Sequence, residues 1–203
     1  MSRPIRAVLL SVSEQRRDVE IPFFTIGHSN RSLDDFVELL RAGRVDLVAD
    51  IRTIPRSRTN PQFNKDTLPA TLMAFAISYE HIAALGGLRG KARALPRDVN
   101  DFWENESFHN YADYALSEQF HTGFAHLLDE GSKQRCAIMC SEAVWWRCHR
   151  RIVTDYLIAS GKTVFHIMGK GRLEPAHLTS GAAIQPGGTI VYPAQHSETG
   201  KAG

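Results

Sequence analysis

Cysteine, glutamate and histidine side chains follow one strand-like segment and could supply nucleophilic or acid–base chemistry. Residues 136–140 (CAIMC) form a short apolar run, and Glu142 and His149 come soon after its last residue, Cys140. A thiol at the start of a helix has a lowered pKa, because the helix dipole and the free N–H groups stabilise the thiolate. We therefore expect Cys140, Glu142 and His149 to be catalytic residues.

Each of these residues also has a plainer explanation, and the sequence leaves it open. A buried cysteine is often a small apolar filler, and His149 could be a core histidine bonded to a carbonyl. Glu142 could pair with Arg147 or Arg150, and its charge would repel a thiolate or a phosphate. The phosphate-binding loop of cysteine phosphatases has five residues between cysteine and arginine, whereas Arg147 comes seven positions after Cys140.

A metal site is a further reading of the same segment. Cys140, Cys148, His149 and His28 could be assembled as ligands, but the sequence contains neither a C-x2-C pair nor an H-E-x-x-H motif. We therefore expect no metal, and the sequence indicates no particular cofactor.

Basic and glycine-rich segments follow the other strand-like runs and could bind an anion. Guanidinium groups bind carboxylate or phosphate through paired hydrogen bonds, and glycine-rich turns let backbone N–H groups approach an anion. The alternative is that the loop arginines are solvated or pair with Asp50, Asp66 and Asp98. The expected substrate-binding residues are His28, Ser29, Arg52, Arg56, Ser57, Arg58, Gly86, Gly87 and Arg150.

Asp50 is the fourth expected catalytic residue. It lies near the end of a nearly continuous apolar run at residues 45–51 (VDLVADI), two positions before Arg52. A carboxylate in that position can accept a proton or orient an arginine. A salt bridge between Asp50 and Arg52 is the structural alternative.

Strand-like and helix-like segments alternate along the chain. The apolar patterns predict strands at 21–27, 45–51, 78–85, 136–140 and 163–168, and helices at 32–43, 67–76, 111–116, 118–128 and 144–159. Residues 89–110 read as a long irregular loop. This order predicts an α/β fold, a mostly parallel sheet of about five strands with helices on both faces, and the site at the carboxyl ends of the strands.

Composition sets the broad class of the protein. The chain has 203 residues, of which 43% are hydrophobic and 23% charged, with a formal net charge of +2. We expect one domain over residues 23–193, preceded by an arm or edge strand (1–22) and followed by a flexible tail (194–203). No apolar stretch is long enough to span a bilayer, and three clustered cysteines suggest free thiols, so we expect a cytoplasmic protein without a membrane partner.

Several ordered motifs resemble those of the domain-of-unknown-function 488 family. They are residues 25–32 (TIGHSNRS), 48–52 (VADIR), 55–58 (PRSR), 60–64 (NPQFN), 85–87 (LGG), 111–114 (YADY), 139–142 (MCSE), 148–150 (CHR) and 166–167 (HI). The resemblance covers about residues 23–193. It implies an α/β fold and functional positions among these motifs, but no particular reaction.

The convergence of carboxylates, a thiol and imidazoles with basic groups favours an enzyme that acts on a small anionic substrate, such as a nucleotide or another phosphate- or carboxylate-bearing molecule. One alternative is a non-catalytic module that binds nucleotides or nucleic acid through the same arginines. A second is sulfur transfer through Cys140, because the order of strand, Cys140, helix and strand is similar to that of rhodanese-like sulfur transferases. The sequence does not indicate the oligomeric state.

Overall fold

A computed structural model describes residues 20–92 and 95–195. The main strands are β1 (Phe23–Gly27), β2 (Leu47–Asp50), β3 (Ser78–His81), β4 (Cys136–Cys140), β5 (Val164–Gly169) and β6 (Arg172–Pro175), followed by a two-stranded hairpin of β7 (Ala183–Ile184) and β8 (Ile190–Val191). The helices are α1 (Leu33–Ala42), α2 (Leu68–Met73), α3 (Glu106–Ala115), α4 (Glu118–Lys133) and α5 (Arg150–Ala159).

The main sheet has the strand order β3-β2-β4-β1-β5-β6. Its first five strands are parallel, and β6 pairs antiparallel with β5. The predicted α/β class with a mostly parallel sheet is therefore confirmed, with six strands in place of about five. The extra strand was missed because its segment, RLEP, is short and exposed, without the apolar character of a buried strand.

Helices cover both faces of the sheet, as predicted. One apolar cluster joins the sheet to α3, α4 and α5 through residues such as Tyr111, Phe120 and Ile152. The other joins the opposite face to α1 and α2 through residues such as Phe36 and Leu72. Strands β1, β2 and β4 are fully buried. Their nearly continuous apolar sequences suit parallel strands that are covered by helices on both faces.

The topology fixes one natural place for a ligand. From β1 the chain crosses one face of the sheet, through α1, to β2. From β4, which lies between β1 and β2, the chain crosses the other face in the opposite direction, through α5, to β5. The loops after β1 and β4 therefore diverge and leave a crevice at their carboxyl ends, where open α/β sheets bind ligands. Gly27 and Cys140 are register partners at this edge.

Two predicted helices begin elsewhere. The helix expected over 144–159 begins only at Arg150, because a 3₁₀ turn at Trp145–Arg147 and the extended backbone of Cys148 precede it. Helix α3 begins at Glu106, within the expected loop, because the Asn105 side chain accepts hydrogen bonds from the N–H groups of the first turn.

The expected arm or edge strand (1–22) and flexible tail (194–203) fall largely outside the described residues. None of the helices in the described segments is both long enough and apolar enough to cross a bilayer.

His166 on β5 should make stability depend on pH. Burial lowers the pKa of His166 to about 4, while its Nδ1 contacts the Thr25 hydroxyl and its ring stacks on Trp145. As pH falls below about 6.5, His166 takes up a proton in the unfolded chain but stays neutral in the folded chain. Its contribution to the free energy of unfolding is therefore complete at neutral pH and declines towards pH 4.

We expect this histidine to account for a loss of about 2 kcal/mol between pH 7.5 and pH 5. Urea unfolding at both pH values should show that the loss is smaller by that amount in His166→Asn, which keeps a polar atom near the Nδ1 position. Equal losses in the two proteins would contradict the assignment.

Candidate functional site

A cavity of about 760 Å³ lies at the carboxyl ends of the strands. Nine of the predicted site residues line it: His28, Ser29, Arg52, Arg56, Ser57, Gly87, Cys140, Glu142 and His149. Four lie outside its lining: Asp50, Arg58, Gly86 and Arg150. The fold therefore brings most of the predicted residues, which come from segments distant in sequence, to one cavity.

Asp50 lies beneath the cavity and holds Arg52. Its side chain is fully buried, and both of its oxygens accept hydrogen bonds from the Arg52 side chain at 2.6–3.1 Å. The Tyr79 hydroxyl donates a further bond of 2.7 Å to Asp50 Oδ2. A carboxylate occupied in this way orients an arginine, and the expected proton transfer by Asp50 stays a prediction.

Arg52 is in turn tied to His28 and to the loop after β2. Its Nη2 donates to the Phe63 carbonyl at 2.7 Å, and its Nη1 lies 3.1 Å from His28 Nε2. His28 Nδ1 lies 2.8 Å from the Ser29 carbonyl, so Nδ1 carries the proton and Nε2 accepts from Arg52. Burial, together with the nearby Arg52 charge, lowers the pKa of His28 to about 4 and keeps its ring neutral.

The other arginines of the loops near the cavity do not form one free cluster. Arg56 pairs with Asp66 at 2.7 Å on the surface, as the alternative interpretation held, although it also lines the cavity. Arg89 lies over the Tyr114 ring and donates to the Gly86 carbonyl. The cationic part of the lining therefore consists of Arg52, Arg56 and a residue that was not predicted to bind substrate, Arg147.

Two cysteines and one histidine meet on the wall of the cavity. His149 Nδ1 lies 3.6 Å from Cys148 Sγ and 3.9 Å from Cys140 Sγ, while its Nε2 lies 3.0 Å from the Ile51 carbonyl. A β-carbon added at Gly87 would stand only 2.3 Å from His149 Nδ1, so the imidazole packs directly against this glycine. Gly87 thereby sets the position of His149, which differs from the predicted contact with an anion.

Of these two thiols, Cys148 has a lowered pKa and Cys140 a raised one, so Cys148 is a second candidate nucleophile beside the predicted Cys140. Burial opposes ionisation of Cys148, but its close neighbours, among them Arg150, which donates two hydrogen bonds to the Cys148 sulfur, outweigh it and lower the pKa of Cys148. The nearby Cys148 sulfur and burial raise the pKa of Cys140. Helix α5 begins at Arg150, two residues after Cys148 and ten residues after the end of β4, so its dipole favours Cys148.

Arg150 stabilises the loop after β4 through buried hydrogen bonds. It is almost fully buried, its Nε lies 3.4 Å from Cys148 Sγ, and its Nη2 donates to the Glu142 backbone carbonyl at 2.6 Å. That carbonyl also presses on Gly27, where an added β-carbon would lie 1.8 Å from the carbonyl oxygen. The Glu142 side chain is left exposed at the cavity, and among the described residues of the lining it alone carries a carboxylate.

Sequence reasoning missed three contributors to the site. Cys148 was proposed as a metal ligand and as part of a family motif, Arg147 as a partner for Glu142, and Gly27 as part of a family motif, and none of them was predicted to act in catalysis or to bind substrate. The available signal for Cys148 was its position close to the start of a helix. It would have been recognised if helix α5 had been predicted to begin near residue 150. Gly27 could be recognised only from three-dimensional contact.

The fold and this cavity define an α/β protein with a polar site at the carboxyl ends of its central strands. A protein family described as "Domain of unknown function DUF488" matches residues 32–157, which is more than half of the chain. The chain belongs to this family, and the predicted resemblance is confirmed. No curated protein and no solved structure matches the chain.

Proposed function

We propose that this protein is an enzyme that binds a small phosphate- or carboxylate-bearing molecule, with nucleotides as members of that class. The observation that carries the proposal is the lining of the strand-end cavity. Within the described chain, three arginines and one carboxylate share that lining with two thiols and two imidazoles. A binding module needs the cationic groups alone, whereas an enzyme needs proton carriers or nucleophiles beside them.

The cationic side of the cavity supports an anionic ligand. Arg52 is held in place by its ion pair with Asp50, which offsets much of its charge, so it contributes a guanidinium of fixed orientation to the lining. Arg147 is exposed, and Arg56 shares an exposed ion pair with Asp66, a kind of contact worth about 1 kcal/mol or less and easily exchanged for a bound anion.

The size and apolar part of the cavity support an organic molecule over a bare inorganic ion. About 760 Å³ is within the usual range for sites that hold metabolites of nucleotide size. Ile54, Leu88 and Phe108 contribute an apolar wall to the same cavity. An aromatic base or an alkyl group can lie against that wall while its anionic end meets the arginines.

The candidate chemical groups lie on the segment between β4 and α5. Glu142 is the accessible proton carrier, and Cys148 and His149 stand beside it in the lining. Cys140, Cys148 and Cys136 are all free thiols, which supports a reducing compartment such as the cytoplasm.

Binding is tested first, with inorganic phosphate, citrate and adenosine monophosphate as probes in calorimetric titrations. We expect saturable binding of at least one probe, and about tenfold weaker binding by Arg147→Gln, because one charged hydrogen bond is lost. Arg44→Gln is the matched control, since Arg44 is also exposed but precedes β2 at the opposite edge of the sheet. Equal weakening in both variants, or no binding, contradicts the proposal.

Catalysis is tested next by incubating the chain with a panel of phosphorylated and carboxylated metabolites and following turnover by mass spectrometry. Glu142→Gln should keep binding within a few-fold and reduce turnover by about 100-fold, the usual contribution of a general acid or base. Binding without turnover of any member would favour the alternative, a non-catalytic nucleotide-binding module.

A further inference from the structure

Three metal-type donor atoms converge on the wall of the cavity. The sulfurs of Cys140 and Cys148 and the Nδ1 of His149 all lie within 4.8 Å of one another. Cys140 ends β4, and the other two residues immediately precede α5, so two separate elements supply the group. The absence of a C-x2-C motif, which argued against a metal in the sequence, therefore does not bear on this arrangement.

Two of the three distances between the donors, those from His149 to each sulfur, already suit one tetrahedral ion. For zinc, bond lengths of about 2.3 Å to sulfur and about 2.0 Å to nitrogen place those two ligand atoms roughly 3.6 Å apart. His149 Nδ1 lies 3.6 Å from Cys148 Sγ and 3.9 Å from Cys140 Sγ. Only small shifts would bring all three atoms into contact with a common ion.

The imidazole of His149 is held in the tautomer that a metal requires. Its Nε2 lies 3.0 Å from the Ile51 carbonyl, which can only accept a hydrogen bond, so Nε2 carries the proton. The lone pair then resides on Nδ1, which faces both sulfurs. A histidine ligand usually donates its other N–H to a carbonyl or carboxylate in this manner.

The surroundings of Cys148 suit a metal-bound thiolate. The Arg150 backbone N–H and its Nε lie 3.5 and 3.4 Å from Cys148 Sγ, so both donate to the sulfur. Two thiolates neutralise a divalent ion, and the buried Arg150 charge therefore meets no net positive charge at the centre.

The fourth position of such a centre opens to the cavity. Cys140, Cys148 and His149 all belong to the lining that they share with Glu142. Three protein ligands and one open position are the arrangement of catalytic zinc sites, whereas structural sites use four protein ligands.

We propose that Cys140, Cys148 and His149 bind a single zinc-class divalent ion whose fourth position faces the cavity. The ion would act there as a Lewis acid on a phosphoryl or carbonyl oxygen. This inference deepens the proposed function, and its link to a substrate rests on that function, but the binding of the metal itself does not.

The full chain, purified without a histidine tag under a non-thiol reductant and then freed of metal, is titrated with Co²⁺. We expect one ion per chain, intense thiolate-to-cobalt absorption in the near ultraviolet, visible bands of tetrahedral cobalt, and displacement by Zn²⁺. Absence of binding, or cobalt bands without the thiolate absorption, overturns the proposal.

Variants assign the ligands. Cys148→Ser and His149→Gln should each weaken metal affinity by more than about 100-fold, beyond the loss usual for a supporting residue. Cys136→Ala is the control, because Cys136 is fully buried at the start of β4 and lies outside the donor cluster. Equal losses in Cys136→Ala overturn the assignment, and the wild-type cobalt spectrum decides independently if a variant fails to fold.

The two proposals fail separately. Metal binding is measured without any anion, and probe binding is measured on the metal-free chain as well as on the loaded one. A chain that binds Co²⁺ through thiolates but no anionic probe overturns only the proposed function. A chain that binds a probe but no Co²⁺ overturns only the metal centre.

Discussion

Replacing Asp50 with alanine is expected to lower the free energy of unfolding by about 3–5 kcal/mol. The variant leaves the Arg52 guanidinium, which is only 5% exposed, without its carboxylate partner. It also removes the acceptor of the Tyr79 hydroxyl. A loss of this size is a large part of the total stability of an ordinary domain, and urea unfolding measures it.

Asp66→Ala is the matched control for this prediction. It removes the carboxylate partner of Arg56, but both of those side chains are about two-thirds exposed. We expect a change below about 1 kcal/mol, because water replaces the lost contact. Similar losses in the two variants would mean that Asp50 does not carry the buried charge of Arg52.

Gly27→Ala is expected to cost about 3 kcal/mol, at the upper end for overpacking. The new methyl group would stand 1.8 Å from the Glu142 carbonyl oxygen, and this neighbour is backbone that cannot rotate away. The loop after β4 must therefore move from β1. Because Arg150 holds the same carbonyl, the shift should also disturb Cys148, and probe binding should weaken together with stability.

Gly169→Ala serves as the comparison, because a β-carbon at Gly169 would meet nothing within 4 Å. We expect its unfolding curve and its probe affinity to stay close to those of the wild type. A Gly27→Ala protein with unchanged stability would show that the loops after β1 and β4 are not in this close contact.

The parts of the fold that follow from local pattern were predictable from sequence. Continuous apolar runs identified β1, β2 and β4, and the alternation of these runs with helical periodicity indicated a parallel sheet. Because parallel strands end at one edge, polar residues after separate strands were expected together. Nine of the thirteen predicted site residues do line one cavity, although their chemical roles stay predictions.

The roles of the individual site residues could not be predicted, because they depend on contacts between distant segments. Asp50 and Arg52 read as two site residues, yet the full burial of Asp50 makes it the support of Arg52. Because the backbone at Cys148 is extended, α5 begins later than predicted, and the Cys148 sulfur lies near that of Cys140. The helical periodicity over 144–159 could not reveal this arrangement. Tertiary packing overrode local propensity there.

The central claim is that the strand-end cavity binds a small organic anion. Its most direct test is an NMR titration of the full chain with adenosine monophosphate, followed through backbone amide signals. We predict saturable shifts at Ser29, Gly87 and Ser141, which border the cavity, and none at Gly161, which precedes β5 at the opposite edge. Shifts that never saturate, or that gather around Gly161, would contradict the claim.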